Sequence, residues 1–102
     1  MRAVVLYGHG GLEKLVYEPD YRAPAPGAGD ALVRMRACAL NYHDLFTRRG
    51  MPGIKVPLPL ITGNDLAGEI AALGPGVTGF ASGERVLVDP VDRRAGVYAG
   101  EA

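Results

Sequence analysis

Glycine and proline interrupt this sequence so often that they limit the length of every regular element. The 102 residues include fifteen glycines and eight prolines, which is well above the usual share. Glycine permits the backbone conformations that turns require, and proline removes a backbone donor from helices and sheets. The composition therefore predicts a mostly β fold in which many turns join short strands. Since a chain of this length can bury one small core, we expect a single domain.

The charge balance argues against several classes of partner. Eleven basic residues balance eleven acidic residues, so no strong overall field attracts nucleic acid or an anionic membrane. The single cysteine, Cys38, cannot form an internal disulfide, and no run of about 18 apolar residues suggests a spanning helix. We therefore expect a soluble protein of the cytoplasm with neither nucleic-acid nor membrane partners, and we interpret Cys38 as a structural thiol.

Runs of β-formers and alternating patterns predict the first strands. Residues 2–8 and 12–18 are rich in β-formers and predict the first two. In "DALVRMRACA", every second residue from Val33 to Ala39 is apolar. This period predicts a half-buried strand with all of these residues on its core face.

One short helix is predicted from Tyr42 to about Arg49. Asn41 is a good N-cap, Asp44 lies at the N3 position of a capping box, and Gly50 suits the C-terminal cap. The following residues, 51–62, contain three prolines and predict an irregular connector. Residues 65–74 fit either a helix or a bent strand, and we favour the strand because Gly68 and the glycines that follow disfavour a helix. A last strand is predicted in "ERVLVDP", ending at Pro90.

Residues 74–79, "GPGVTG", have the G-x-G-x-x-G spacing of a dinucleotide-binding fingerprint. Such a fingerprint needs a helix that begins within the motif and an acidic residue about 20 residues later. Here Gly83 and a β-branched run follow Gly79, so no helix of useful length can begin there. Glycines and Pro75 suit a turn, and we interpret the motif as a turn between two strands.

Polar residues that could carry chemistry lie in two short stretches, and they could line one pocket if the fold brings the stretches together. They are Asn41, Tyr42, His43, Asp44, Asn64 and Asp65. Simpler interpretations exist for each: a capping pair explains Asn41 and Asp44, a tyrosine commonly fills a core, and Asn or Asp after glycine usually forms a turn. Histidine titrates near neutrality and can shuttle protons, but one on the first turn of a helix is more often simply solvated.

Three segments, taken in order, resemble the N-terminal part of the medium-chain dehydrogenase/reductase superfamily, which includes alcohol dehydrogenases and quinone oxidoreductases. They are "MRAVVLYGHGGLEKLVYE", "DALVRMRACALNYHDLFTRRG" and "LPLITGNDLAGEIAALGPGVTGFASGERVLV". The resemblance implies a GroES-like irregular β-barrel with one short helix. It also implies a Rossmann domain that binds NAD(P)H, which is absent from this chain. We expect residues 1–102 to be a fragment that stops inside the lobe after residue 90.

The resemblance also implies a member without zinc. Zinc-dependent members have a catalytic cysteine at the position of Asn41 and a histidine and a glutamate at Asn64 and Asp65, and amides are poor zinc ligands. The first three cysteines of the structural zinc site would fall at three residues that cannot bind zinc as a thiolate does, namely Val91, Arg94 and Val97. Retention of zinc by Asp44, Asp65 and water remains an alternative.

For the full-length enzyme, the resemblance implies hydride transfer between NAD(P)H and a small carbonyl, enone or quinone, in a homo-oligomer. Asn41 would line the nicotinamide pocket as in quinone-oxidoreductase-like relatives, and His43 lies where alcohol dehydrogenases keep a proton-relay hydroxyl. Asn41 and His43 are thus the catalytic candidates. The pocket candidates are Asn41, Tyr42, Asp44, Asn64 and Asp65. The chain alone should be inactive. The alternative is a non-catalytic GroES-like binding or assembly module.

Overall fold

The structure is a computed structural model that describes residues 1–88 and consists of two three-stranded antiparallel sheets and one α-helix. The strands are β1 (Ala3–Leu6), β2 (Leu15–Glu18), β3 (Ala31–Ala39), β4 (Leu60–Ile61), β5 (Asp65–Leu73) and β6 (Arg85–Val88), and the helix is α1 (Tyr42–Arg49). The predicted mostly β fold with one short helix is confirmed. Across residues 1–88 the two sheets do not close into a complete barrel. No helix in this part of the chain has the length and apolarity that crossing a membrane requires.

The first sheet has the strand order β2-β1-β4, so β1 is paired on both edges. Val5 and Leu6 of β1 are fully buried. The backbone N–H and C=O groups of a buried strand need hydrogen-bond partners, and neighbouring strands on both sides supply them. The predicted connector over residues 51–62 is therefore partly wrong, because Leu60 and Ile61 pair with Leu6 and Val5. Proline does not prevent this pairing, since both paired residues follow the last proline of the segment.

The second predicted strand begins later than expected. Its first three residues, Leu12–Lys14, form a 3-10 turn, and β2 starts at Leu15. The Glu13 carboxylate accepts the Gly11 N–H at 3.1 Å, and the Lys14 N–H donates to the Gly11 carbonyl at 3.1 Å. These local hydrogen bonds satisfy backbone and side-chain groups without a sheet, which is how they override the β propensity of the segment.

The second sheet has the order β3-β5-β6, and its core is formed by Val33, Leu66 and Ile70. The register of β3 against β5 shifts between Met35 and Ala37, which marks a β-bulge. The bulge breaks the strict alternation that the sequence suggests. Val33 is buried and Met35 half-buried as predicted, but the prediction is wrong for the later residues, since Ala37 and Ala39 are exposed.

Cys38 also differs from its interpretation as a structural thiol. It lies in the part of β3 that follows the bulge, and its side chain is exposed. Because this half of the strand has lost its core face, the thiol makes no contribution to the buried cluster.

The "GPGVTG" stretch is a turn, as predicted, and joins β5 to β6. Gly76 and Gly79 have φ values of 80° and 85°, which favour glycine. Gly74 donates to the carbonyl of Asp30 at 2.8 Å, and a Cβ atom there would collide with the carbonyl of Gly27. The first glycine therefore allows a close approach to another loop and not to a phosphate.

α1 spans the predicted residues, and its C-terminal turn is held by the loop after β1. The Gly10 N–H donates to the Arg48 carbonyl at 3.0 Å, and Arg48 Nε donates back to the Gly10 carbonyl at 3.3 Å. His9 adds a third contact from its ring to the Thr47 carbonyl, at 3.0 Å. These bonds fix the far end of the helix and so help to position its N-terminal end, where the candidate residues lie.

Candidate functional site

The N-terminal end of α1 meets the start of β5 through a direct side-chain hydrogen bond. The amide of Asn41 donates from Nδ2 to Oδ2 of Asp65 at 2.7 Å, across 24 residues of sequence. The sheet explains the meeting, because Ala39 at the end of β3 pairs with Asp65 at the start of β5. A hydrogen bond to an ionised carboxylate is short and strong, so it holds the amide of Asn41 in one orientation.

A second contact joins the same two elements. Nδ2 of Asn64 lies 3.2 Å from Nδ1 of His43. The hydroxyl of Thr47, one turn further along the helix, donates to the carbonyl of His43 at 3.1 Å and lies 3.5 Å from Nδ1. His43 is exposed to solvent, as the simpler interpretation expects, and its Nδ1 also lies near Asn64 and Thr47.

The two residues that cap the helix, Asn41 and Asp44, are also part of the site. The predicted capping box is present, with the carboxylate of Asp44 accepting the backbone N–H of Asn41 at 2.8 Å. Asp44 thus has the structural role that the sequence suggested. The NH₂ group of Asn41 is used differently, because it donates to Asp65 and so links the cap to β5.

A groove of about 400 Å³ lies beside this end of the helix. Its apolar walls are supplied by leucines, namely Leu12, Leu15, Leu40 and Leu45. Asn41, Tyr42 and Asp44 add polar groups to the same groove. An apolar cleft with a few placed polar groups is the usual form of a small-molecule site.

The groove divides the candidate residues. Asn41, Tyr42 and Asp44 line it, whereas His43, Asn64 and Asp65 do not. Asn41 links the two groups of residues. Its backbone N–H donates to Asp44, and its side-chain amide donates to Asp65. The structure therefore brings all six candidates to one end of α1, with Asn41 at the centre.

Tyr42 is a surface residue, so the commoner interpretation as a core tyrosine is wrong. It is 75% exposed, and its ring packs on Phe46 with centroids 5.8 Å apart. An exposed aromatic ring at the mouth of a groove is able to stack on a planar ligand.

The amides of this cluster are poor ligands for a zinc ion. The amide of Asn41 donates to Asp65, and the two carboxylates of the proposed alternative, Asp44 and Asp65, each accept a hydrogen bond from Asn41 through one oxygen, Oδ2. Zinc prefers thiolate and imidazole ligands, and amides bind it poorly. Within residues 1–88, no group of three or more His, Cys, Asp or Glu side chains is arranged to hold a metal. The predicted structural-zinc positions, Val91, Arg94 and Val97, lie outside the described residues.

The loop at the edge of the groove carries one perturbed carboxyl group. Hydrogen bonds from the backbone N–H groups of Glu13 and Gly11 lower the pKa of the Glu13 carboxyl, and the positive charges of Lys14 and Arg48 add smaller effects in the same direction. Glu13 is fully exposed, so solvent screens these interactions. The carboxylate is thereby kept ionised next to Leu12, a wall residue of the groove.

Two residues near the site were not found by sequence reasoning. Thr47 is buried and contacts both histidines, one through its hydroxyl and the other through its carbonyl. Its spacing of four residues from His43 is the available signal, since such pairs share a helix face. Arg48 is only 9% exposed and lines the groove. No signal in the sequence marks that burial, because it depends on the loop of Gly10.

Comparison with known families gives a match over most of the chain. The family described as "Alcohol dehydrogenase GroES-like domain" matches residues 27–101. This range includes α1, β5 and every candidate site residue.

Individual proteins of known name are also similar to the chain. The human synaptic vesicle membrane protein VAT-1 homolog is 42% identical over 89 residues, which are 86% of this chain and 23% of that protein. A solved NAD-dependent alcohol dehydrogenase is 45% identical with a TM-score of 0.77, covering 85% of this chain and 25% of that one. Quinone oxidoreductase of Escherichia coli, solved with NADPH, is 28% identical with a TM-score of 0.73, covering 85% and 26%. The chain thus spans about a quarter of the length of these relatives.

Proposed function

Because the chain belongs to the alcohol dehydrogenase GroES-like domain family, within the medium-chain dehydrogenase/reductase superfamily, we propose that it supplies the substrate-binding and catalytic part of an NAD(P)H-dependent oxidoreductase. The substrate is a small carbonyl, enone or quinone compound. The nicotinamide cofactor is held mainly by a Rossmann domain in the longer protein. The observation that carries the proposal is the polar cluster around Asn41, which sits beside an apolar groove at the end of α1.

The amide of Asn41 is suited to bind a carbonyl group. An asparagine amide has two N–H donors and one carbonyl acceptor. One donor is used by Asp65, and this bond fixes the plane of the amide. The second donor can then meet the oxygen of a substrate or the carboxamide of a nicotinamide ring. A donor that is held in place before binding stabilises developing negative charge on oxygen more than a mobile one does.

The groove explains the preference for a largely apolar substrate. Four leucine side chains line it, so the part of a ligand that carries no charge can bury apolar surface against them. The exposed ring of Tyr42 offers a surface for a conjugated or aromatic ligand. Enones and quinones combine a planar apolar body with a carbonyl oxygen, so they match both the walls and the amide of Asn41.

The reaction requires a hydride and a proton. NAD(P)H, when bound, supplies the hydride to the substrate carbon and is oxidised. The electron pair of the carbonyl bond moves to oxygen, which then takes up a proton. Asn41 orients that oxygen, and His43, on the first turn of the same helix, is the candidate for proton handling. Polarisation of the substrate thus comes from hydrogen-bond donors, which agrees with the poor fit of the site to zinc.

We also propose a cytoplasmic location and a homo-oligomeric state for the longer protein. The single cysteine, which fits a reducing compartment, supports the first. The resemblance to quinone oxidoreductases supports the second. Size-exclusion chromatography tests the assembly: a small closed oligomer is expected, and a sevenfold ring of the kind formed by co-chaperonins would contradict it.

The test is made on the longer polypeptide that carries this chain in its parent gene. We expect the sequence after Ala102 to encode a glycine fingerprint that opens a helix after a strand. The purified protein should oxidise NADH or NADPH when an enone or a quinone is added, and the present chain alone should not. Absence of a downstream fingerprint, or equal activity of the chain alone, would contradict the proposal.

A further inference from the structure

In each of the two histidines of this chain, Nδ1 lies near a hydrogen-bonding partner. The partner of His9 is a carbonyl oxygen, and the partner of His43 is an amide nitrogen. Nδ1 of His9 lies 3.0 Å from the backbone carbonyl oxygen of Thr47. A carbonyl oxygen can only accept a hydrogen bond, so Nδ1 of His9 must carry a proton. When His9 is neutral, its Nε2 is therefore the unprotonated nitrogen.

His43 has the reverse arrangement. Its Nδ1 lies 3.2 Å from Nδ2 of Asn64, and an amide nitrogen can only donate. With the Asn64 amide in this orientation, Nδ1 of His43 is the acceptor and the proton lies on Nε2. The hydroxyl of Thr47 is further away, at 3.5 Å, and its hydrogen is directed to the carbonyl of His43 at 3.1 Å.

We propose that Asn64 is a positioning residue that fixes the tautomer of His43, so that Nε2–H is the group presented to a ligand. Among the described residues, Nε2 of His43 makes no hydrogen bond, which leaves it available. Protonation of Nδ1 would set an N–H group against the N–H of Asn64. With this tautomer a neutral His43 can donate a hydrogen bond from Nε2 to a ligand bound at this end of α1.

This role deepens the proposed function and rests on it for the identity of the ligand, but the tautomer itself does not. It belongs to the folded chain and can be observed without turnover. The two proposals can therefore fail independently. If the protein does not oxidise NAD(P)H, His43 can still have the expected tautomer, and if His43 has the other tautomer, the protein can still oxidise NAD(P)H.

Long-range ¹H–¹⁵N NMR of the histidine rings provides the test, at a pH high enough for both rings to be neutral. Protonated and unprotonated ring nitrogens have well-separated ¹⁵N shifts, and only two histidines contribute signals. We expect the Nε2–H pattern for His43 and the Nδ1–H pattern for His9. Identical or averaged patterns for the two residues would overturn the inference.

Two variants separate Asn64 from its neighbours. Asn64→Asp places a carboxylate, which only accepts, against Nδ1, so His43 should switch to the Nδ1–H tautomer. Thr47→Val removes the hydroxyl with little change in shape and should leave His43 in the Nε2–H tautomer. The signals of His9 report whether α1 keeps its place in each variant. An unchanged His43 in Asn64→Asp, or a switch in Thr47→Val, would show that Asn64 does not control the ring.

Discussion

The side-chain amide of Asn41 donates a 2.7 Å hydrogen bond to the carboxylate of Asp65, which joins the cap of α1 to the first residue of β5. The pairing of Ala39 with Asp65 places these two residues within reach of each other. One polar contact thus connects the helix, the sheet and the groove. The proposed chemistry depends on this contact, because it fixes the amide that would meet a substrate oxygen.

The capping box predicts a specific stability loss. Asp44→Ala removes the carboxylate that accepts the Asn41 N–H at 2.8 Å. We expect the free energy of unfolding to fall by about 0.5–1.5 kcal/mol, the range for loss of one hydrogen bond. Urea denaturation followed by circular dichroism measures it. Asp20→Ala, at an exposed turn, is the matched control and should change stability by less than about 0.5 kcal/mol. Equal losses in both variants would contradict the structural role of Asp44.

The bulge region of the second sheet predicts a larger effect at Gly68. A Cβ atom there would collide with the carbonyl oxygen of Arg34 and press on Val33. Gly68→Ala should therefore destabilise the chain by roughly 1–3 kcal/mol, the range for overpacking. Gly8→Ala is the control, since nothing lies within 4 Å of a Cβ at that position. A stable Gly68→Ala variant would mean that β3 and β5 do not approach each other as described.

The Glu13 carboxyl predicts a pH-dependent contribution to stability. Its pKa is lowered in the folded chain by the backbone N–H groups of Glu13 and Gly11. A lowered folded-state pKa means that the stabilisation is present above the unfolded-state pKa and is lost as pH falls through the folded-state pKa. Glu13→Gln should thus lower Tm slightly at neutral pH, and the difference should shrink in acid. Thermal melts across this range measure it, and a difference that grows in acid would have the wrong sign.

The donor chemistry of the site predicts that the longer enzyme works without zinc. Chelation should leave NAD(P)H oxidation unchanged, because hydrogen-bond donors such as Asn41 polarise the substrate. Elemental analysis of the purified protein should find far less than one zinc per chain. Stoichiometric zinc, together with loss of activity on chelation, would overturn this assignment.

Local signals in the sequence were sufficient for α1 and for the "GPGVTG" turn. The cap at Asn41 and Asp44 is formed by residues three positions apart, so the sequence contains all of the information that the helix start requires. Likewise, Gly83 and the β-branched residues after the turn exclude a helix without reference to the rest of the fold.

The features that the sequence did not predict all depend on contacts between residues that are far apart in the sequence. The bulge in β3 appears only in its register with β5, and the three residues after it, Ala37, Cys38 and Ala39, are exposed despite their apolar pattern. The strand Leu60–Ile61 forms because β1 has an edge to be paired. The contact of Asn64 with His43 likewise depends on that register, and the burial of Arg48 depends on a loop 38 residues away.

The kinetics of Asn41→Ser in the longer enzyme test the central claim most directly. Serine is also a good N-cap, so the variant should keep α1 while it loses the amide that binds Asp65 and the substrate oxygen. We predict a fall in kcat/KM for an enone or quinone of about 10²-fold, typical for loss of one oxyanion donor. Asp20→Ala, at an exposed turn residue that does not line the groove, should match the parent. A folded Asn41→Ser enzyme with parental kcat/KM would contradict the assignment of the site.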